Sequence, residues 1–299
     1  MHRTLITGAN GQLGRDLVRE LTSRGVDCTA SDIQERYSGS EDCMYIPLDI
    51  TDDKDVTSAF MFTQPERVIH CAAWTAVDAA EETANRKKVF AVNAQGTENI
   101  AKACRDYGAA MTYLSTDYVF SGEGVDAWKP DENSFSPPNY YGKTKLAGEL
   151  AVRLHVERYF IVRIAWVFGR NGNNFVRTML KLAETHDTLR VVNDQIGTPT
   201  YTPDLARLLA DMNESDKFGI YHATNEGGYI SWYDFACEIF AQAGKSVNVI
   251  PVTTEEYGLS KAKRPHNSRL DKSKLVEAGF TPLPDWRDAL RRYLADGAD

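Results

Sequence analysis

Tyr141 and Lys145 stand one helical turn apart in the run Tyr140-Tyr141-Gly142-Lys143-Thr144-Lys145, which opens a segment of helical pattern reaching about His155. A spacing of four puts both side chains on one helix face. An ammonium beside a phenol favours the tyrosinate and lowers the phenol pKa. Such a pair can give a proton to a carbonyl oxygen as hydride reaches the carbon, or take it back in reverse. About 25 residues upstream, the apolar run Ala110–Leu114 delivers Ser115-Thr116-Asp117-Tyr118-Val119-Phe120. Thr116 can give the same oxygen another hydrogen bond. Lys145 can also hold the ribose hydroxyls of a nicotinamide.

These groups need a scaffold that brings a hydride donor to them. The N-terminal stretch Thr4-Leu5-Ile6 reads as a strand and leads into Thr7-Gly8-Ala9-Asn10-Gly11-Gln12-Leu13-Gly14. Leu13, Leu17, Val18 and Leu21 then follow a helical period. Gly8 suits a sharp turn, Gly11 a close approach to a ligand, and Gly14 tight packing of helix on strand. The helix N-terminus offers free N–H groups and partial positive charge to a pyrophosphate. Strand two, Val26–Ala30, ends at Ser31-Asp32. An acid there accepts hydrogen bonds from the adenosine ribose and repels a 2'-phosphate, which favours NAD(H) over NADP(H). Arg36 lies near enough to leave both open.

Farther along, Met44–Leu48 ends at Asp49-Ile50, and Thr51 or Asp52 can cap a helix that stops near Pro65. Arg67–His70 is a strand, followed by the small residues Cys71-Ala72-Ala73 and then Trp74-Thr75. A long helical stretch carries Val89, Val92, Ile100 and Ala103. Asn93 within it is either a brace for backbone groups or a cofactor contact. With Phe160–Ile164 as strand six, strands and helices alternate. This predicts a Rossmann-type doubly wound parallel sheet. Ligands of such sheets bind beyond the carboxyl ends of the strands. Beyond Ala165 the rhythm loosens into an irregular stretch, then a helix (Phe175–Glu184), a strand (Leu189–Val192) and a helix (Pro203–Asp211). A strand (Gly219–Ala223), a helix (Tyr233–Ala243), a strand (Val247–Pro251) and a last helix (Trp286–Leu294) follow. Residues 1–165 are expected to form the dinucleotide-binding domain. Residues 166–299 are expected to form mainly a smaller α/β substrate-binding lobe, with some segments returning to the first domain.

Composition narrows the partners. The chain has 299 residues and a formal net charge of −8 with no basic run, which argues against a nucleic-acid surface. No apolar run approaches membrane-spanning length and the N-terminus lacks a signal pattern. Five scattered cysteines, Cys28, Cys43, Cys71, Cys104 and Cys237, show no metal spacing and read as reduced thiols of a cytoplasmic protein. A small anionic substrate then requires local positive charge.

With those motifs in place, the chain resembles an extended short-chain dehydrogenase/reductase. Within that superfamily it is similar to the dTDP-4-dehydrorhamnose reductases. The matching segments are residues 8–14, 72–78, 115–120, 141–149, 166–169, 172–175, 193–195 and 264–270. Related 4,6-dehydratases carry Thr-Asp-Glu where this chain has Thr116-Asp117-Tyr118, so the acid used in water elimination is missing. The resemblance implies NADPH or NADH as cofactor and reduction of the C4 ketone of a dTDP-linked 4-dehydro-6-deoxy sugar, with Thr116, Tyr141 and Lys145 catalytic. It implies that Gly11, Gln12 and Leu13 line the pyrophosphate, Asp32 faces the adenosine ribose, and Asp49 and Ile50 flank adenine. Ala72, Ala73, Trp74 and Thr75 then lie along the nicotinamide side. Thr116 and Asp117 contact the sugar, and Trp166 packs against it. Val77, Asp78, Asn174 and Gln195 lie in matching segments and count among the candidate substrate contacts. Arg264 is the candidate cation for the diphosphate. Some members of the family dimerise through magnesium held by glutamates. The early position of that kind is Asp16 here and the others are not located in the sequence, so no metal ligand is assigned, magnesium stays an open alternative without support from the sequence, and either a monomer or a homodimer is expected. The alternatives are a reductase or epimerase of another nucleotide-linked deoxy sugar, and a cofactor-binding regulatory subunit of the same fold.

Overall fold

The computed structural model describes residues 2–297. In chain order the first half runs β1 (Thr4–Thr7), α1 (Gln12–Ser23), β2 (Cys28–Asp32), β3 (Met44–Pro47), α2 (Asp53–Thr63), β4 (Arg67–His70), α3 (Val77–Ala80) and α4 (Thr83–Phe90). A π-helical turn at Ala91–Gly96, α5 (Thr97–Tyr107), β5 (Ala110–Thr116), a 3-10 turn at Asp117–Val119, α6 (Tyr140–His155) and β6 (Tyr159–Ile164) complete it. The second half comprises β7 (Val167–Phe168), α7 (Phe175–Leu182), β8 (Thr188–Val192), β9 (Ile196–Gly197), β10 (Thr200–Tyr201), α8 (Thr202–Asn213) and β11 (Gly219–His222). It ends with β12 (Ile230–Ser231), α9 (Trp232–Gln242), β13 (Asn248–Val252), α10 (Thr254–Tyr257), α11 (Ser273–Glu277) and α12 (Trp286–Ala295).

Seven strands form one sheet in the order β11-β6-β5-β4-β1-β2-β3, and every neighbouring pair is parallel. This is the doubly wound sheet that the alternating pattern predicts. Successive β1 side chains face opposite ways. Leu5 enters a cluster with Val68, Ile100, Tyr113 and Val152, while Ile6 enters another with Leu17, Leu21, Leu205 and Leu209. The strand order turns back between β1 and β4, and the crevice outside their carboxyl ends is where such sheets bind ligands. A third core of Phe168, Val176, Phe235, Ile239, Trp286 and Leu290 holds the second lobe together.

The turn after β1 depends on two glycines. Gly8 has φ +72°, and a Cβ there would lie 2.5 Å from the Ala72 nitrogen. A Cβ at Gly14 would lie 2.1 Å from the Gly8 carbonyl oxygen, so α1 could not sit against the turn.

Two departures from the sequence pattern have physical causes. The long helix expected around Asn93 is divided into α3, α4, the π turn and α5. The widened turn carries the Asn93 side chain into backbone contacts described below. β5 runs two residues past Leu114, to Thr116, because β6 pairs with it that far, Thr116 opposite Ile164. Two second-half segments lie on the first layer: β11 pairs with β6, and Leu205 and Leu209 of α8 share a core with Leu17 and Leu21 of α1.

Candidate active site

β5 and α6 meet where the chemistry is expected. The Asn139 side chain caps α6 by accepting from the Gly142 N–H at 2.8 Å, and its amide donates to the Lys263 carbonyl at 2.9 Å. One turn in, Lys145 is buried (4 % exposed), and its Nζ donates to the Leu114 carbonyl at 2.7 Å, 4.2 Å from the Tyr113 ring centre. Burial pulls its pKa down to about 7, against the opposing fields of Glu149 and Cys71. Glu149, another turn along, is held in a fully buried two-pronged pair with Arg163, at 2.9 and 2.8 Å.

Tyr141 is half-buried and meets the Tyr118 ring edge-on, with ring centres 5.7 Å apart at 82°. Its phenol pKa is not lowered as the Tyr–Lys spacing predicts. Burial pushes it up, Asp117 and Tyr118 add to the rise, and only a hydrogen bond with Thr116 opposes it. The expected relief by Lys145 fails because the ammonium is turned onto the Leu114 carbonyl and is itself depressed by burial. The phenol is therefore held protonated.

The end of β5 forms a polar cluster. Thr116 Oγ1 donates to Asp117 at 3.0 Å and accepts from the Tyr118 N–H at 3.3 Å. Asp117 is 2 % exposed; its second oxygen accepts from Ser268 Oγ. Burial raises its pKa to about 6, opposed by the hydrogen bonds from Ser268 and Thr116 and by the charge of Arg264. Arg264 donates to the Tyr118 hydroxyl at 3.1 Å and pairs with Asp78, which also accepts from the Ala262 N–H at 3.0 Å. Arg264 and Asp78, both candidates for the substrate, are thus each other's partners.

Around the glycine turn, the Asp32 carboxylate accepts from the Asn10 N–H at 2.9 Å and the Ile33 N–H at 2.8 Å. Asn10 ties the turn to the following loop, accepting from Ser38 N and Oγ, both at 2.8 Å. Gly11 is the exposed N-cap of α1 and Gln12 its first residue, with no side chain capping that end and no acid in its first turn. Leu13 sends its side chain into the core, leaving only backbone for a ligand. Asp49 accepts from Thr51 N and Oγ1, at 2.9 and 2.7 Å. Ile50 is buried where a Cβ at Gly96 would meet its side chain at 2.7 Å. Ala72 and Ala73 follow β4, half-buried, and Thr75 is exposed. Asn93, fully buried, accepts from the Trp74 N–H at 2.8 Å and donates to the Trp74 carbonyl and to Thr144 Oγ1, at 3.1 and 3.0 Å. Its amide acts as a brace between the loop after β4 and α6.

Of the second-half candidates, Asn174 caps α7 and donates to Gln12 Oε1 at 3.2 Å, so it reaches the glycine turn. Gln195 is buried and donates to Thr254 Oγ1 at 3.0 Å. Val77 opens α3, half-buried. Trp166 lies just past β6, half-buried, and stacks on Trp232. Asp16 is buried, accepts from Thr202 Oγ1 at 2.5 Å and has its pKa raised by burial, which places it between helices. Among the described residues, no group of three or more His, Cys, Asp and Glu side chains is placed to hold a metal ion, and no helix is long and apolar enough to cross a membrane. Sequence reasoning assigned no role of their own to Asn139, Tyr118 and Ser268. An Asn directly before a helical pattern is a capping signal that would have found the first; the other two depend on contacts distant in sequence.

A seven-stranded parallel sheet with a glycine turn after its first strand and a Tyr–Lys pair on the helix after its fifth defines a Rossmann-type protein of the short-chain dehydrogenase/reductase kind. The chain belongs to the family described as "RmlD substrate binding domain", which matches residues 1–298. It is 42 % identical over 294 residues to a dTDP-4-dehydrorhamnose reductase of Streptomyces griseus, covering 96 % of this chain and 91 % of the relative. It is 40 % identical over 296 residues to a spore coat polysaccharide biosynthesis protein of Bacillus subtilis strain 168, covering 99 % and 98 %. The crystal structure of a dTDP-4-dehydrorhamnose reductase from Bacillus anthracis strain Ames in complex with NADP superposes with a TM-score of 0.90 at 39 % identity, covering 99 % of both chains.

Proposed function

We propose that the protein reduces the C4 ketone of dTDP-4-dehydrorhamnose, using NADPH or NADH. The observation that carries the reading is the convergence of Thr116, Tyr141 and Lys145 at the carboxyl end of β5. The names of relatives at about 40 % identity support the substrate. The uncapped start of α1, with no acid in its first turn, fits a dinucleotide pyrophosphate. When bound, the reduced nicotinamide supplies the hydride.

This chain's residues do the rest. Tyr141, held protonated by burial, donates its phenolic proton to the carbonyl oxygen as that oxygen gains charge. Thr116 adds a hydrogen bond to the same oxygen. Lys145, fixed in place by the Leu114 carbonyl, holds the nicotinamide ribose hydroxyls. Gln12 and Leu13 bind the pyrophosphate through backbone N–H groups, Gly11, whose own N–H donates to the Gly8 carbonyl, lets it come close, and Asp32 faces the adenosine ribose. Arg264 serves the substrate diphosphate by exchanging its partner Asp78 for phosphate oxygens. Trp166 packs against the sugar.

The test is the loss of reduced-nicotinamide absorbance when dTDP-4-dehydrorhamnose is supplied, with NADPH and NADH compared and a second nucleotide sugar as control. Turnover that falls about 100-fold or more in Tyr141→Phe, with NADPH binding unchanged, supports the assignment. Turnover unchanged in that variant refutes it.

A further inference from the structure

Two non-glycine residues among those described have positive φ, Gln64 at 42° and Trp166 at 50°. Gln64 closes α2 in the left-handed conformation, a common way to end a helix. Trp166 ends no helix; it lies between β6 and β7. A bulky side chain stays in that region only where its surroundings over-determine it.

Those surroundings come from the second lobe. The Trp166 indole stacks on Trp232 with ring centres 3.7 Å apart and planes 16° from parallel. Phe175 backs Trp232 at 4.6 Å. A Cβ at Gly197 would lie 2.9 Å from the Trp166 indole, so the backbone of β9 presses on the same ring. The antiparallel ladder of β9 with β12 sets Ser231 opposite Ile196 and Ile230 opposite Gly197, which delivers Trp232 beside Trp166. Ser231 and Asp234 then fix the start of α9 in a reciprocal cap. The same β9 residue, Ile196, accepts from the Ser268 N–H at 2.8 Å, and Ser268 holds Asp117. One short strand thus registers the indole pair against the polar cluster at the end of β5.

We propose that Trp232 is a positioning residue for the sugar: its ring clamps the Trp166 indole in the setting that presents it to the substrate. The inference rests on the reading that Trp166 packs against the sugar. Trp232 acts through Trp166, with the apolar methyl face of a 6-deoxyhexose as the group recognised. Its energetic effect therefore belongs to the sugar and leaves the dinucleotide site alone.

The experiment compares the full-length wild type with Trp232→Ala, Trp232→Phe and Trp166→Ala. It measures KM for dTDP-4-dehydrorhamnose, KM for NADPH, and the circular dichroism couplet that two stacked indoles produce. Trp232→Ala is expected to lose the couplet and raise the ketone KM about tenfold with the NADPH KM unchanged. Trp232→Phe keeps a stacked ring and is expected to stay within about threefold of wild type. If Trp232→Ala does not fold, Trp232→Leu beside Trp232→Phe makes the same comparison of a flat ring against an aliphatic side chain. A ketone KM unchanged without the ring at 232, but raised in Trp166→Ala, overturns the positioning role and leaves the reading of Trp166 standing. A ketone KM unchanged in Trp166→Ala overturns that reading itself. Equal rises in both KM values, or lowered stability alone, also refute the proposal.

Discussion

Lys145→Met is expected to make the protein more stable and inactive. The lysine pKa falls from 10.5 to about 7 on folding, chiefly because burial penalises its charge. Each unit is worth about 1.4 kcal/mol. At pH 7 about three units count, since the folded group is then half-protonated, so the charge costs about 4 kcal/mol. Against this stand the hydrogen bond to the Leu114 carbonyl and the contact with the Tyr113 ring, together about 2–3 kcal/mol. A methionine of similar length fills the space, so the net gain is about 1–2 kcal/mol. The sign with pH follows from proton counts. Between about pH 7 and pH 10.5 the unfolded lysine holds a proton that the folded one has released, so wild-type stability from this group rises with pH across that window. The variant lacks that rise, and its advantage shrinks by about 2 kcal/mol from pH 7 to pH 9. Urea unfolding of both proteins at the two pH values reads the difference directly, and turnover with the ketone is expected to fall by about 100-fold or more. A stability gap that stays constant across the window refutes the account of a penalised buried charge.

Three further outcomes follow from the same contacts. Asn93→Ala leaves the Trp74 N–H and carbonyl without their partner and is expected to cost about 2–4 kcal/mol, read as a lowered melting temperature. Arg163→Met strands the Glu149 carboxylate in the interior, a loss of about 3–5 kcal/mol; adding Glu149→Leu is expected to recover much of it, as a double-mutant cycle would report. Asp117 has its pKa raised from 3.8 to about 6, so its contribution to stability is full below pH 3.8 and is lost as pH rises through about 6. Asp117→Asn removes that loss, and its melting temperature is expected to exceed wild type at about pH 8 but not at about pH 4.

The placement of the candidate residues was legible because it is local. Tyr141 and Lys145 lie four positions apart, the glycine turn lies within one stretch, and Asp32 and Thr116 lie at or just past strand ends. What the sequence hid depends on distance along the chain. The Asp32 carboxylate reads as a free ribose acceptor, yet Asn10, 22 residues away, already donates to it. Arg264 reads as an open cation, yet it is matched to Asp78, 186 residues away. The depressed lysine and raised tyrosine follow from burial, which spacing does not report; the expected phenol shift had the opposite sign for that reason. The π turn at Asn93 is invisible to a period of 3.6, since an inserted residue looks like a small phase slip. Trp232 carries no signal of its own in the sequence, because only the β9–β12 ladder reveals what it faces.

The return of α8 and β11 to the main sheet bears on how such a protein can be rebuilt by recombination. A crossover placed at 165/166 would take with it the helix that covers Leu17 and Leu21 and the strand that pairs with β6. The remaining fragment would carry an open hydrogen-bonding edge and a bare greasy face, both prone to aggregate. A recombined chain therefore keeps this layer covered only when residues 202–222 stay with their host.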